Sequence, residues 1–176
     1  MDLAIWLVHL QSLIEKLETL DLGYPLGNHR IYPPADRATL QRLIQRVGLF
    51  PASPLIALYT YCDGINLPDV HNGYFIHGVA SLLNGLERGE PTRLASNPTH
   101  PIIAFGSDGG GGRFATRADE AAEILFLPSG AVHNATFDDK TTPTKVLSPD
   151  FTDFLSRLES DITAFLADDR DWNYIS

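Results

Sequence analysis

Chemistry in this chain of 176 residues would have to come from a glycine run, one cysteine, six histidines and a few adjacent carboxylates. The run Gly106-Ser107-Asp108-Gly109-Gly110-Gly111-Gly112 has the composition of a loop whose backbone amides cradle a phosphate. A Walker loop, however, needs Gly-Lys-Ser/Thr opening a helix, and a dinucleotide fingerprint also leads into one. Here the run leads into Arg113-Phe114-Ala115-Thr116, a strand pattern, so the helix dipole that supports an anion is missing. The glycines therefore predict a turn or bulge between two strands, with at least one residue at positive φ.

Cys62 is the only cysteine, which rules out an intramolecular disulfide and a multi-cysteine zinc site and fits a reducing compartment. A nucleophilic thiol needs a neighbouring base or a helix N-terminus to lower its pKa. Cys62 falls instead at the C-terminal end of a helical pattern, where the dipole disfavours thiolate, and it reads as a small buried hydrophobe. The histidines His9, His29, His71, His77, His100 and His133 lack metal-ligand spacing and read as turn, strand or surface residues, so no metal and no cofactor is expected. Asp138-Asp139 and Asp168-Asp169 are adjacent pairs, and neighbours on any regular element point in different directions. They read as a solvated turn and a helix end rather than acid–base pairs, and no catalytic residue is assigned.

Charge gives the functional lead. The formal net charge is −9, unevenly spread: residues 118–176 hold 12 acids against Lys140, Lys145, Arg157 and Arg170. Residues 31–117 hold seven arginines against six acids. An acidic field repels nucleic acid and anionic lipid and favours basic partners, although solubility alone would also account for it. Asp138 and Asp139 lie in a polar stretch, Thr136 to Thr144, that reads as an exposed turn, and they are the first candidates for the centre of a protein-binding surface. Asp108 and Arg113 at the glycine run are further candidates. So is Trp172 in the tail, which either docks back on the domain or meets a second chain, where tryptophan is enriched.

These residues need elements to position them. Residues 3–14 are strongly apolar, but Asp2 precedes them, and Glu15 and Lys16 close the run. That is neither a secretory signal nor the ~20 residues of a membrane span. Trp6, Leu10, Leu13, Ile14, Leu17 and Leu20 recur at helical spacing, which predicts an amphipathic helix over 1–20 and a cytoplasmic protein. Residues 21–35 read as a connecting loop, and a second helix runs from about Asp36 to Val47, closed by Gly48. A third starts at Ser53-Pro54, an N-cap followed by proline at the first helical position. Strand patterns follow at 73–77, 101–106, 113–117 and 123–127, with a short helix over 79–87 and edge strands at 131–137 and 144–147. A last helix, capped by Ser148 before Pro149, carries Phe151, Phe154, Leu155, Leu158, Ile162, Phe165 and Leu166 on one face. Helices first, adjacent strands next and a helix last predict an α+β domain, its mostly antiparallel sheet packed by the N-terminal helices and a C-terminal helix.

Three segments in order resemble the SUKH superfamily, which includes the Smi/Knr-type regulators and many bacterial immunity proteins. Residues 49–64 (LFPASPLIALYTYCDG) are similar to its proline-led helix with an Asp-Gly exit. Residues 101–115 (PIIAFGSDGGGGRFA) resemble its central strand, glycine turn and returning strand, and residues 150–155 (DFTDFL) its closing helix. The likeness covers about residues 31–166 of a single domain spanning 1–176, leaving the first helix and the tail, 167–176, outside it. Arg113 departs from the family's habit of an acid after the glycines, and residues 124–133 lack its Trp-Asp-His-like element. The resemblance implies a non-catalytic binding domain, of the immunity type that neutralises a cognate toxin such as a nuclease. The partner is then a basic protein rather than nucleic acid or membrane. Two other readings are a regulatory scaffold, as in the eukaryotic relatives, and a small-ligand or hydrolytic enzyme using Cys62, Asp63, Asp108 and a histidine.

Overall fold

The computed structural model describes residues 1–48, 53–117 and 123–168. The first helix, α1, runs Leu3–Leu17, with the Asp2 carboxylate accepting from the amides of Ala4 and Ile5. It buries Trp6, Leu10, Leu13, Ile14 and Leu17 as their spacing requires, but stops one turn before Leu20. Helix α2, Arg37–Val47, is capped by Asp36 and ends at Gly48, whose φ of 68° is a left-handed stop. Helix α3, Pro54–Tyr61, starts from Ser53 and ends at Cys62.

The chain then builds a seven-stranded sheet in the order β1-β2-β3-β5-β6-β7-β10. Its members are β1 Arg30–Ile31, β2 Ile65–Leu67, β3 Tyr74–Ile76, β5 Ile102–Ser107, β6 Arg113–Arg117, β7 Ile124–Leu127 and β10 Lys145–Ser148. Every neighbouring pair is antiparallel. Helix α4, Val79–Glu87, leaves after β3, and α5, Phe151–Leu166, closes the described chain. The fold class is α+β, with helices packed on a large antiparallel sheet.

The strand β7 shows why both sides of the sheet are covered. Ile124 and Phe126 point into the core under α1, α3 and α5, while Leu125 and Leu127 point the other way, and all four are buried. The helix side packs the rings of Phe105, Phe114, Phe151 and Phe154, with Phe105 and Phe154 edge-to-face at 5.4 Å. A small second sheet covers the other side, with β4 Arg93–Leu94, β8 Val132–His133 and β9 Thr136–Phe137 in the order β4-β9-β8. It seats Phe137 and Leu94 on Ile102, Ala115, Leu125 and Leu127. The edge strand expected over 131–137 is thus a hairpin belonging to this second sheet, turning at Asn134 and Ala135, both at positive φ.

One helix start differs from expectation. The cap of α5 is Asp150, whose carboxylate accepts from the Asp153 amide at 2.8 Å. Ser148 is still in β10, and its hydroxyl donates to the Asp150 carbonyl. Both residues satisfy the Ser/Asp preference of a cap, and strand pairing to Ile124 decides between them. The strands β1, β2 and β4 were not foreseen, because two or three residues carry too little alternation to be read.

Candidate functional site

The glycine run closes the β5–β6 hairpin, as its composition required. Gly109 and Gly111 have φ of 62° and 92°. A Cβ on Gly109 would collide with the Asn72 carbonyl oxygen, and one on Gly112 with the Phe126 ring. Asp108 is nearly buried and turned inward, its Oδ1 accepting from the amides of Gly110 at 2.9 Å and Gly112 at 2.7 Å. The amides that could have cradled a phosphate therefore already hold an internal carboxylate. Asp108 organises the loop and does not project from it.

Beside the loop, Arg113 Nε donates to Glu90 Oε2 at 2.6 Å, and the guanidinium reaches Oε1 at 3.5 Å. This pair walls a cleft of about 430 Å³ between α4 and the sheet. Leu82, Leu86 and Ile103 give its apolar lining, and the glycine backbone and His77 its polar side. Burial pushes the His77 pKa down; Glu90 opposes that and Arg113 reinforces it. The cleft thus offers a neutral imidazole and a self-paired cation.

Cys62 is fully buried, and burial raises its thiol pKa to about 11, which leaves it a packing residue. Asp63, next to it, supplies the cap that Gly78 cannot, accepting from the Val79 amide at the start of α4 at 2.7 Å. Cys62, Asp63 and Asp108 are each committed to a different structural task, and Asp63 and His77 line a second cavity of about 350 Å³ beside β2, β3 and the start of α4. Among the described residues no group of three or more His, Cys, Asp or Glu could hold a metal ion. No described helix is long and apolar enough to cross a membrane.

Asp138 and Asp139 are half-buried and hydrogen-bonded. Asp138 accepts from the Thr141 hydroxyl at 2.7 Å and its amide at 3.3 Å, and these bonds hold its pKa below the ordinary carboxylate value. Asp139 accepts from the Ser96 amide at 2.8 Å and from the Ser96 hydroxyl, tying the turn after β9 to the end of β4. Both are joints of the small sheet as much as surface charges. Trp172 lies outside the described residues.

More acids gather on the helical layer formed by α1 and α5. Asp2, Glu15, Glu18 and Asp21 on or beside α1 and Asp150 and Asp168 beside α5 are exposed, and Asp153 and Glu159 on α5 are half-buried. Asp2, Asp21 and Asp150 accept from amides of their own segments. Lys16 and Arg157 are the cations of these two helices, and Arg157 Nε is bound to Asp153 at 2.6 Å. By contrast α2 carries Arg37, Arg42 and Arg46 with no acid within it. The charge is therefore polarised between helices.

One group was not anticipated. Asp161 is fully buried, with Oδ1 3.0 Å from His71 Nε2 and Oδ2 accepting from the Tyr74 hydroxyl. Burial raises its pKa, partly offset by Tyr74 and His71. The signal was present: Asp161 interrupts the apolar stripe of α5 between Leu158 and Ile162, where an acid must find a partner inside.

No family model matches this chain, and no curated protein matches it significantly.

Proposed function

We propose that this protein is a non-catalytic protein-binding domain that blocks a basic partner by covering it, in the manner of the SUKH-type immunity proteins its sequence resembles. The single observation that carries the reading is the excess of acid on and beside α1 and α5, where Glu15 and Glu18 are exposed, Glu159 is half-buried, and Lys16 and Arg157 are the helices' cations. A field of that sign steers a cationic surface into contact and is costly for nucleic acid or anionic lipid. Compared with the expectation centred on Asp138 and Asp139, the docking face moves onto the helices, because those two aspartates are held by their own loop and by Ser96. A toxin that grips nucleic acid through a cationic groove suits this face, and the cytoplasm is where a cell would need protection from it.

The test is a triple reversal, Glu15→Lys, Glu18→Lys and Glu159→Lys, in a pull-down with the product of the adjacent gene. Binding should fall at least tenfold, and the wild-type association rate should drop as salt rises toward a Debye length of about 8 Å. Unchanged binding together with a salt-independent rate would sink the proposal. A regulatory scaffold shares the same face, and the two differ in whether co-expression rescues growth from that gene product.

A further inference from the structure

His77 stands where two cavities meet. Together with Ser81 of α4 it lines both the cleft of about 430 Å³ beneath that helix and the cavity of about 350 Å³ beside β2 and β3. Its backbone is pinned on both sides. The amide donates to the Phe105 carbonyl at 2.9 Å, and the carbonyl accepts from the Tyr59 hydroxyl at 2.8 Å. The half-buried imidazole, by contrast, has no hydrogen-bond partner among the described residues. His29 and His71 differ in this respect, each lying 3.0 Å from an aspartate oxygen. Burial disfavours the charged form of His77, so its ring brings one N–H donor and one bare nitrogen acceptor to the cleft. The charged groups of the cleft are engaged with each other, Arg113 Nε donating to Glu90 at 2.6 Å. The rest of the wall is apolar side chain, from Leu82, Leu86 and Ile103, and glycine backbone.

We propose that the cleft beneath α4 binds a small uncharged molecule with an apolar body and one hydrogen-bonding group, the body against Leu82, Leu86 and Ile103 and the polar group on the His77 imidazole. The inference goes beyond the docking face and is independent of it. The lining selects the class by elimination. A carboxylate would have to compete with Glu90 for the Arg113 guanidinium, and a cation would have to compete with Arg113 for Glu90. Either exchange breaks a charge-assisted bond to make another, with no net gain. A purely apolar molecule would displace water from the imidazole and leave it without any partner, which is costly. A neutral group that meets the ring avoids both penalties. The volume lies within the range of small-molecule sites, and an apolar wall with few polar groups is their usual composition.

The probe is p-cresol, titrated into the full chain at neutral pH and followed by NMR at the His77 ring and the Leu82 and Leu86 methyl groups. Toluene, p-toluate and p-methylbenzylamine have the same body with no polar group, an anion and a cation. Saturable shifts at these three residues are expected with p-cresol. Toluene should bind about fivefold more weakly, the size of one neutral hydrogen bond, and the two charged analogues should bind more weakly than p-cresol. His77→Phe keeps a ring in place and removes both nitrogens. It should bring p-cresol down to the affinity of toluene while leaving toluene unchanged. The four wild-type titrations decide the matter even if that variant fails to fold. The assignment is overturned by the absence of a saturable shift with p-cresol, or by toluene or a charged analogue binding equally well. It is also overturned by a folded His77→Phe variant that still prefers p-cresol to toluene.

Discussion

The turn after β9 and the outer face of α1 and α5 are both acidic in sequence, yet their carboxylates do different things. In the turn, Asp138 and Asp139 face amide and hydroxyl donors from Thr141 and Ser96. At the end of α1, Glu15 and Glu18 are exposed to water. Asp161 lies at the far extreme, inside the core with His71 and Tyr74. What separates these acids is the donors within reach, which local composition does not report. An acid whose lone pairs are filled by its own backbone is a poor contact residue, because a partner would have to displace bonds the fold depends on.

Asp161 should show the largest effect. Asp161→Ala leaves the Tyr74 hydroxyl and His71 without their buried acceptor and should cost about 3 kcal/mol by chemical denaturation. Asp161→Asn should be far milder, since it can still accept from Tyr74 and burial already disfavours the charged form. The pH dependence has a definite sign. With its folded pKa raised, Asp161 binds its proton more readily in the folded state, so it adds stability as pH falls through that pKa toward the ordinary value of 3.8. The melting temperature of wild type relative to Asp161→Asn should therefore climb as pH is lowered from 7 to 4. A flat difference would mean that Asp161 is not held against its charge. Asp138 has the opposite sign: its stabilisation is present above 3.8 and is lost as pH falls through its lowered folded pKa.

The β9 turn should give an intermediate effect. Asp139→Ala removes the acceptor of the Ser96 amide and hydroxyl and should cost about 1–2 kcal/mol, in the range of a lost helix cap. The double change Asp138→Lys with Asp139→Lys should lower the melting temperature whether or not a partner is present. An unmoved melting temperature would return these two acids to the list of free surface charges. The smallest stability effect belongs to the helical face, where each of Glu15→Lys, Glu18→Lys and Glu159→Lys should stay within about 0.5 kcal/mol of wild type. A large loss there would erase the distinction between the two regions.

Much of the scaffold was legible without coordinates. The five helices of the described residues were readable from apolar positions at helical spacing, and because Asp36, Gly48 and the Ser53-Pro54 pair mark ends by local rules. The longer strands β5, β6 and β7 were readable from apolar runs bounded by turn residues, and the glycine run from its need for positive φ. The candidate site was less legible. Arg113 was a candidate binding residue, and Glu90, 23 residues away, accepts from its Nε. Asp108 is bound by the amides of its own loop, a local pairing that the glycine spacing permits but does not announce.

By itself the sequence determined the helices, the longer strands, the hairpin at the glycines and the burial of Cys62, all of which follow from interactions within a few residues along the chain. Only the tertiary structure decided where the short strands pair and which carboxylates are used up. Those outcomes depend on partners that are distant in sequence. Asp139 meets Ser96 across 43 residues, and Asp161 meets His71 across 90. A short strand gains stability only from its neighbour, and a carboxylate is quenched only by the donor placed beside it, so neither is defined until the chain has closed on itself.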